Sequence, residues 1–192
     1  MNAREELRAM LAAYVAAHPD ESETAARIGR LVTGHADCFQ RGCRPGHLTA
    51  SAWVVSADGA RHLLLRHRKL GKWLQPGGHA DGDTDLLAVA RREVTEETGL
   101  SGLEPIVSAS GLLPLDLDVH QIPARIDANG AEIDDAHEHH DVRFLFRATG
   151  EDRLTANHES DGLAWLEPDG VQARTDEESV LRLMRKAMTR LA

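Results

Sequence analysis

The sequence predicts an α+β or mixed α/β sandwich, because strand-like and helix-like segments alternate irregularly along its 192 residues. Apolar residues recur at helical spacing in 4–17, 20–33, 84–98 and 176–191. Strand-like patterns occupy 47–56, 61–67, a short stretch before Gly77, segments near 103–112 and 115–122, and finally 140–149 and 162–168. Turns rich in glycine separate several of these strands, which favours hairpins within one sheet.

The chain length is typical of one domain that carries a short extension. The sequence pattern changes from helical to strand-like near His47. We therefore expect an N-terminal helical extension at residues 1–46 and a catalytic or binding domain at residues 47–192.

Composition limits the classes of partner. The chain has 22 Lys+Arg against 31 Asp+Glu, a formal net charge of −9, which argues against binding a nucleic acid polymer or an anionic membrane surface. No apolar run approaches the length of a membrane span, and the charged N-terminus does not resemble a signal peptide. Two cysteines cannot form a disulfide framework, so a cytoplasmic location is expected.

The predicted helix at 84–98 concentrates acidic residues. Glu93, Glu96 and Glu97 stand at i, i+3 and i+4, which places their carboxylates on one side. Like charges at this spacing, close to the helix C-terminus, oppose helix formation. A solvated charged face is one explanation. The other is a bound divalent cation such as Mg²⁺, with Arg92 orienting the Glu96 carboxylate.

The residues around this helix carry a specific motif. Gly78 is followed at the appropriate spacing by Arg92, Glu93, Val94, Glu96, Glu97, Gly99 and Leu100. This segment resembles the Nudix box, in which a glycine, five residues, a glutamate and seven residues precede R-E-U-x-E-E-x-G-U, with U aliphatic. Thr84 stands where that pattern has its first glutamate. Its hydroxyl could cap the helix, and Asp83 or Asp85 could supply the missing charge.

The resemblance implies a fold and an activity. The fold would be a Nudix-type α/β/α sandwich around a mixed sheet, and the activity would be metal-dependent hydrolysis of a diphosphate linkage. The substrate would be a small phosphorylated molecule: a nucleotide sugar, a dinucleotide or a modified nucleoside triphosphate. By position, Glu93, Glu96 and Glu97 would bind Mg²⁺, with Mn²⁺ as an alternative. Arg92 would orient them, and Gly78 would bring backbone close to metal and diphosphate.

Water attack on a diphosphate also requires a group that accepts a proton. Glu96 and Glu97 are candidates for this general base. Glu159, which precedes the strand-like segment at 162–168, is a third candidate. An exposed loop glutamate is the alternative interpretation of Glu159, and the sequence leaves both open.

Two later segments alternate polar with apolar residues. Asp116, Asp118 and His120 share one predicted strand face, and His137, His139, Asp141 and Arg143 share another. These faces could form one polar wall in which His120, His139, Asp141 and Arg143 contact substrate phosphate. His and Asp side chains there could also hold a further transition metal. A solvent-facing pair of strands is the competing interpretation.

Other residues near the Gly77–Gly78 turn are further candidates. Trp73 could stack on a planar group of the substrate or belong to the core, and His79 could face the diphosphate. His35, Cys38, Cys43 and His47 could in principle bind zinc, although their spacing matches no zinc motif.

Two further functions stay open at this stage. The histidine-rich strands are compatible with an isopentenyl-diphosphate isomerase-like enzyme, but no cysteine follows Cys43 to complete the Cys–Glu pair of that chemistry. A non-catalytic nucleotide-sensing Nudix module would be expected to lack the glutamates that this chain retains. The N-terminal segment is expected to serve as the arm of a homodimer or as a flap over the site.

Overall fold

The chain forms a mixed α/β fold with a central mixed sheet, as predicted. The computed structural model describes residues 2–108, 110–127, 129–150, 153–158 and 160–192. The helices are α1 Ala3–Ala17, α2 Ser22–Gly34, α3 Leu86–Thr98, α4 Pro168–Gln172 and α5 Glu178–Leu191. The strands are β1 Gly46–Val55, β2 His62–His67, β3 Trp73–Leu74, β4 Gly77–His79, β5 Leu103–Pro105, β6 Asp116–Ile122, β7 Arg125–Ile126, β8 Glu132–Asp134, β9 His137–Ala148 and β10 Ser160–Leu166. No helix within these ranges is long and apolar enough to cross a membrane.

The chain divides into two compact units. The first unit contains Met1–Thr49, His79–Leu86 and Leu117–Val142, and the second contains Ala50–Gly78, Leu87–Asp116 and Arg143–Ala192. This division differs from the boundary near residue 46 that the sequence suggests, because β1 and β9 each contribute residues to both units. The expected extension at 1–46 and domain at 47–192 stay a prediction.

The first unit holds α1 and α2, which begin as their sequences predict. Asn2 accepts a hydrogen bond from the Glu5 backbone, and the Glu5 side chain accepts one from the Asn2 backbone, forming a capping box at the start of α1. The buried residues of the two helices recur at three- and four-residue intervals: Leu7, Leu11, Tyr14, Ala25, Ile28, Leu31 and Val32. Burial of this stripe is what holds two short helices together.

The sheet of the first unit explains why the fold is mixed. The Glu138 N–H donates to the Pro45 carbonyl at 2.9 Å, and Thr49 Oγ1 donates to Asp141 Oδ1 at 3.0 Å. Residue numbers therefore rise together in β1 and β9, which makes this pair parallel. A separate antiparallel pair joins β7 to β8, two short strands that are not among the strands predicted from the sequence.

The second unit has the strand order β10–β2–β1–β9–β5, with β3 paired to β2. The registers of β10–β2, β2–β3 and β5–β9 are antiparallel. Its core combines apolar residues of the strands with the inner face of α5: Trp53, Val55, Leu64, Leu115, Leu145, Val171, Val180, Leu183, Met184 and Ala187. Burial of these side chains contributes hydrophobic stabilisation to this unit.

The predicted strand near 103–112 is too long. Strand β5 ends at Pro105, and Ser108 and Gly111 exchange backbone hydrogen bonds across a tight turn. Gly111 adopts φ +95°, a conformation that ends an extended segment and that glycine adopts readily.

Candidate active site

Helix α3 carries the three glutamates in three different environments. Its apolar stripe, Val89, Ala90 and Val94, is fully buried. The Glu97 side chain is buried as well, whereas the side chains of Glu93 and Glu96 are 15% and 59% exposed. The three glutamates that the spacing places on one side of the helix therefore differ in exposure, from the buried Glu97 to the solvated Glu96.

The Gly77–Gly78 turn predicted from the sequence is part of the short strand β4, and it contacts this helix. The Gly77 N–H donates to Glu97 Oε2 at 3.0 Å. A Cβ at Gly78 would lie within 2.5 Å of Glu93 Cδ, an approach that real Cβ atoms essentially never show. On its other side, a Cβ at Gly77 would meet the backbone of Ser51 at 2.8 Å. Two successive glycines are what allow this backbone to approach both helix and strand.

Arg92 lies beside the two more exposed carboxylates. Its Nη2 is 3.1 Å from Glu93 Oε1, and its Nε is 3.8 Å from Glu96 Oε1. The arrangement agrees with the i, i+4 pairing expected from the sequence. It places a fixed positive charge next to the carboxylate that lies against Gly78.

The start of α3 differs from the expected one. The helix begins at Leu86, and the exposed Thr84 precedes it. The Asp83 side chain accepts a hydrogen bond from the Asp85 N–H at 3.0 Å. Asp83 therefore makes the local side-chain-to-backbone contact that was considered for the Thr84 hydroxyl. At the other end, Gly99 has φ +76° and its N–H donates to the Thr95 carbonyl, as expected for a residue that ends a helix.

The donor set of α3 fits a hard divalent cation. Carboxylate oxygens are the ligands that Mg²⁺ and Mn²⁺ prefer, and the missing Cβ at Gly78 leaves the space that the Glu93 carboxylate fills. Among the residues described, the oxygens of Glu93, Glu96 and Glu97 do not gather within 4.8 Å of one another. Magnesium is commonly bound through one or two carboxylates and several waters, so such an open set suits it.

Of the three candidate general bases, Glu96 and Glu97 are placed by α3. Glu159 lies outside the described residues, so its predicted role as a base stays a prediction.

Most of the polar residues predicted to form a wall between residues 116 and 143 are buried, although His120 is exposed. Asp116 is completely buried and accepts from Arg143 Nη1 at 3.2 Å, Arg182 Nη2 at 2.8 Å and Lys186 Nζ at 2.6 Å. Asp141 and Arg143 are also buried, so the solvent-facing interpretation of β9 is wrong. The expected contacts of Asp141 and Arg143 with substrate stay predictions, and the interactions seen are with Thr49 and Asp116.

Five histidines of the first unit form a cluster. His47 lies at the centre, with ring centroids 5.1 Å from His79, 5.0 Å from His137 and 4.8 Å from His139. His120 is 5.4 Å from His139, and its Nδ1 is 2.9 Å from Asp118 Oδ2. The sequence singled out His79, His120, His137 and His139, whereas His47 was grouped with two cysteines.

The imidazoles at the centre of the cluster are neutral at physiological pH. Burial, followed by the neighbouring His79 and His137, lowers the pKa of His47 to about 4. Burial, followed by His79 and His47, lowers the pKa of His139 to about 2, and burial lowers the pKa of His79 in the same direction. Each ring therefore offers a nitrogen lone pair.

Trp73 is half-buried and packs against the core of the second unit. The Arg174 guanidinium lies 4.9 Å from the centroid of its ring, within the range of a cation–π contact. These contacts agree with a core role for Trp73, and its stacking on a substrate stays a prediction.

The two cysteines are expected to be unreactive in the folded protein. Cys38 and Cys43 are free and buried. Burial raises the pKa of Cys38, and burial together with the Asp37 carboxylate raises the pKa of Cys43 to about 11. Because the thiolate is the reactive form, a disulfide reagent at pH 8 should label neither cysteine until denaturant is added. Rapid labelling of native protein would contradict this placement.

Comparison with known proteins identifies the family. A NUDIX domain model matches residues 45–187. Phosphatase NudJ of Escherichia coli is 44% identical over 57 residues, which cover 29% of this chain. The match spans only 36% of NudJ, about a third of its length. The chain therefore belongs to the NUDIX domain family.

Solved structures share the fold at low identity. A NUDIX-family hydrolase from Clostridium perfringens aligns with TM-score 0.59 and 22% identity, covering 76% of this chain and 98% of that one. A C. elegans Ap4A hydrolase aligns with TM-score 0.53 and 20% identity, covering 75% and 96%. At such identities the likeness shows the fold alone.

Proposed function

We propose that this chain is a metal-dependent Nudix pyrophosphohydrolase. It cleaves a diphosphate linkage in a small nucleoside diphosphate derivative, with Mg²⁺ or Mn²⁺ held by Glu93, Glu96 and Glu97. The observation that carries the proposal is the contact of α3 with the Gly77–Gly78 turn, which fixes two of the motif's carboxylates against backbone. Residues 47–192 would form the hydrolase domain, and residues 1–46 a helical extension.

When bound, the cation neutralises diphosphate charge and acidifies a coordinated water. The side chains of the protein hold the metal-binding carboxylates in place and provide a proton acceptor. Arg92 holds the Glu93 carboxylate beside Gly78, and Glu97 fixes the turn through the Gly77 N–H. Because these carboxylates are held before substrate arrives, little reorganisation is needed when charge develops on the phosphate oxygens.

Glu96 is the general base that this arrangement favours among the residues of α3. Its side chain is 59% exposed, and its ion pair with Arg92 is long at 3.8 Å, so water can reach its carboxylate. A carboxylate has two oxygens, so Glu96 can contribute one to the cation and accept a proton with the other. In the reaction, the water oxygen forms a bond to phosphorus and the bridging P–O bond breaks. The proton of the water passes to the carboxylate, and the departing phosphate oxygen takes the bond electrons. Glu97, by contrast, already accepts a hydrogen bond from Gly77.

A turnover screen tests the proposal. The full chain would be incubated with Mg²⁺ and separately with Mn²⁺, against nucleotide sugars, dinucleoside polyphosphates, oxidised and normal nucleoside triphosphates, and isopentenyl diphosphate. Products would be resolved by chromatography. We expect hydrolysis of one nucleotide class, and a Glu96→Gln variant with kcat/KM lower by at least about tenfold, because a proton acceptor and a charged metal ligand are both lost while side-chain size is kept.

Glu104→Gln is the matched control, since Glu104 is an exposed glutamate of β5 outside the motif. It should retain wild-type turnover. Nucleotide binding without turnover would instead support a sensing module. Isomerisation of isopentenyl diphosphate, without hydrolysis of any nucleotide, would replace the proposal with the isomerase.

A further inference from the structure

Three histidines from separate segments converge in the first unit. His47 comes from the beginning of β1, His79 from the end of β4 and His139 from β9. One ring nitrogen of each lies within 4.8 Å of those of the other two. The centroid distances of 5.1, 4.8 and 5.0 Å among the three rings show that they surround a common point.

His47 gives the second observation. The residue is only 2% exposed, and neither its Nδ1 nor its Nε2 makes a hydrogen bond with any described residue. The Cys43 backbone lies close enough to act on the ring, but not in hydrogen-bonding geometry. Buried polar nitrogens are nearly always paired, and leaving both nitrogens of one imidazole without a partner costs free energy. A buried imidazole with both nitrogens unpaired, at the centre of a histidine cluster, indicates a missing ligand.

We propose that His47, His79 and His139 bind one divalent transition-metal ion, and that Zn²⁺ fits this donor set best. Imidazole nitrogens suit zinc and its neighbours in the first transition series, whereas Mg²⁺ prefers oxygen ligands. In a tetrahedral site with Zn–N bonds of about 2.0–2.1 Å, the nitrogens lie about 3.4 Å apart. The three rings would need to close by about an ångström, which small side-chain rotations provide.

Neighbouring groups support a cation at this point. The His137 Nδ1 is 2.7 Å from the Asp135 carbonyl, and its ring lies 5.0 Å from that of His47. His120 pairs with the Asp118 carboxylate beside His139. The Asp118 carboxylate and the Asp135 carbonyl place negative charge close to the cluster, which favours a cation there.

This site differs in chemistry from the carboxylates of α3. Three protein nitrogens leave at least one coordination position for water or an anionic ligand. The inference does not depend on the proposed hydrolase activity. It concerns a transition metal bound by imidazole nitrogens, whereas the glutamates of α3 favour Mg²⁺ or Mn²⁺.

Metal binding can be measured directly. Full-length protein without an affinity tag would be treated with chelator, dialysed and titrated with Zn²⁺ in the presence of excess Mg²⁺. We expect one tightly bound zinc per chain by elemental analysis, a rise in the midpoint of thermal unfolding, and a Co²⁺ derivative with intense visible absorption. His47→Gln and His139→Gln should each lower zinc affinity by more than about 100-fold, since loss of a direct ligand exceeds the loss of an outer partner.

Control variants separate this site from others. His67 is a histidine of β2 outside the cluster, so His67→Gln should bind zinc normally. Glu97→Gln should also bind zinc normally, because Glu97 belongs to the proposed hydrolase site. Zinc binding by this variant would show that the metal site is independent of the hydrolase proposal. Cys43→Ser tests the only other group of three ligand-type side chains in the described residues, His35, Asp37 and Cys43. Loss of zinc in Cys43→Ser but not in His47→Gln would overturn the proposal, as would the absence of stoichiometric binding. Circular dichroism would verify that each variant is folded, and His139→Phe provides a variant that keeps ring packing without a ligand nitrogen.

Discussion

Replacing Asp116 with asparagine should lower the free energy of unfolding by about 3–5 kcal/mol, because it removes one partner from a buried ion cluster. Asp116 has no exposed surface, and the Arg143 that pairs with it is 3% exposed. Arg182 and Lys186 complete the cluster from α5. With asparagine in place, the buried Arg143 guanidinium would lose the negative charge of its Asp116 partner. Urea denaturation with a shared m-value would measure the change.

The stability lost in Asp116→Asn should depend on pH, because Asp116 stabilises the folded protein only when it is ionised. Burial raises its pKa, but the hydrogen bond from Arg182 and the charges of Arg143 and Lys186 outweigh burial, so the pKa lies below the ordinary value. A carboxyl whose pKa is depressed on folding stabilises the protein above its unfolded pKa of about 3.9, and that contribution falls as pH drops towards the folded pKa. The difference between wild type and Asp116→Asn should therefore be full at pH 7 and shrink below about pH 4.

Two further variants distinguish buried charge from surface charge. Asp161→Asn removes an ion pair with Arg68 in which both side chains are more than 40% exposed, and should change stability by less than about 1 kcal/mol. Asp116→Leu combined with Arg143→Met removes both charges from the interior and should recover part of the loss. A change below about 1 kcal/mol for Asp116→Asn alone would show that the cluster is solvated in solution.

The fold could be predicted from the sequence because its signals are local. Apolar spacing in 4–17 and 20–33 corresponds to α1 and α2, and the alternation after His47 corresponds to β1. The parallel pairing of β1 with β9 was not predictable in this way, because it joins segments some 90 residues apart. The β7–β8 pair was missed because short, exposed strands have no apolar alternation.

The candidate site was predictable in position but not in environment. The spacing of Glu93, Glu96 and Glu97 places them on one helix side, yet their exposures depend on where the Gly77–Gly78 backbone lies. Polar alternation at Asp116 and Arg143 looks the same whether the side chains meet water or each other. Burial against α5 decides between those outcomes, and it is a tertiary property. His47 was predicted as a possible zinc ligand with His35, Cys38 and Cys43, but its contacts with His79 and His139 were not predictable, because those residues are distant in sequence.

Gly78→Ala should reduce kcat/KM by about 100-fold while leaving the protein folded. The added Cβ would overlap the end of the Glu93 side chain, whose Cδ lies within 2.5 Å of that position. Because these atoms are the terminal atoms of a flexible side chain, we expect the carboxylate to move and the backbone to stay in place. Gly78 is also not among the residues with positive φ, so alanine causes no backbone strain there. A misplacement of about 1 Å in a positioned group is enough to cause a loss of this size.

Gly77→Ala and Gly42→Ala are the comparison variants for Gly78→Ala. At Gly77 the new Cβ would meet the Ser51 backbone at 2.8 Å and the Ala50 carbonyl at 3.0 Å, so the strand must shift and stability should fall along with activity. At Gly42 no heavy atom lies within 4 Å, and neither property should change. Steady-state kinetics on the substrate found in the screen, with thermal unfolding of each variant, would separate these effects. Wild-type kcat/KM in Gly78→Ala would mean that the position of the Glu93 carboxylate against this turn does not matter for turnover, and the role proposed for the turn would then be wrong.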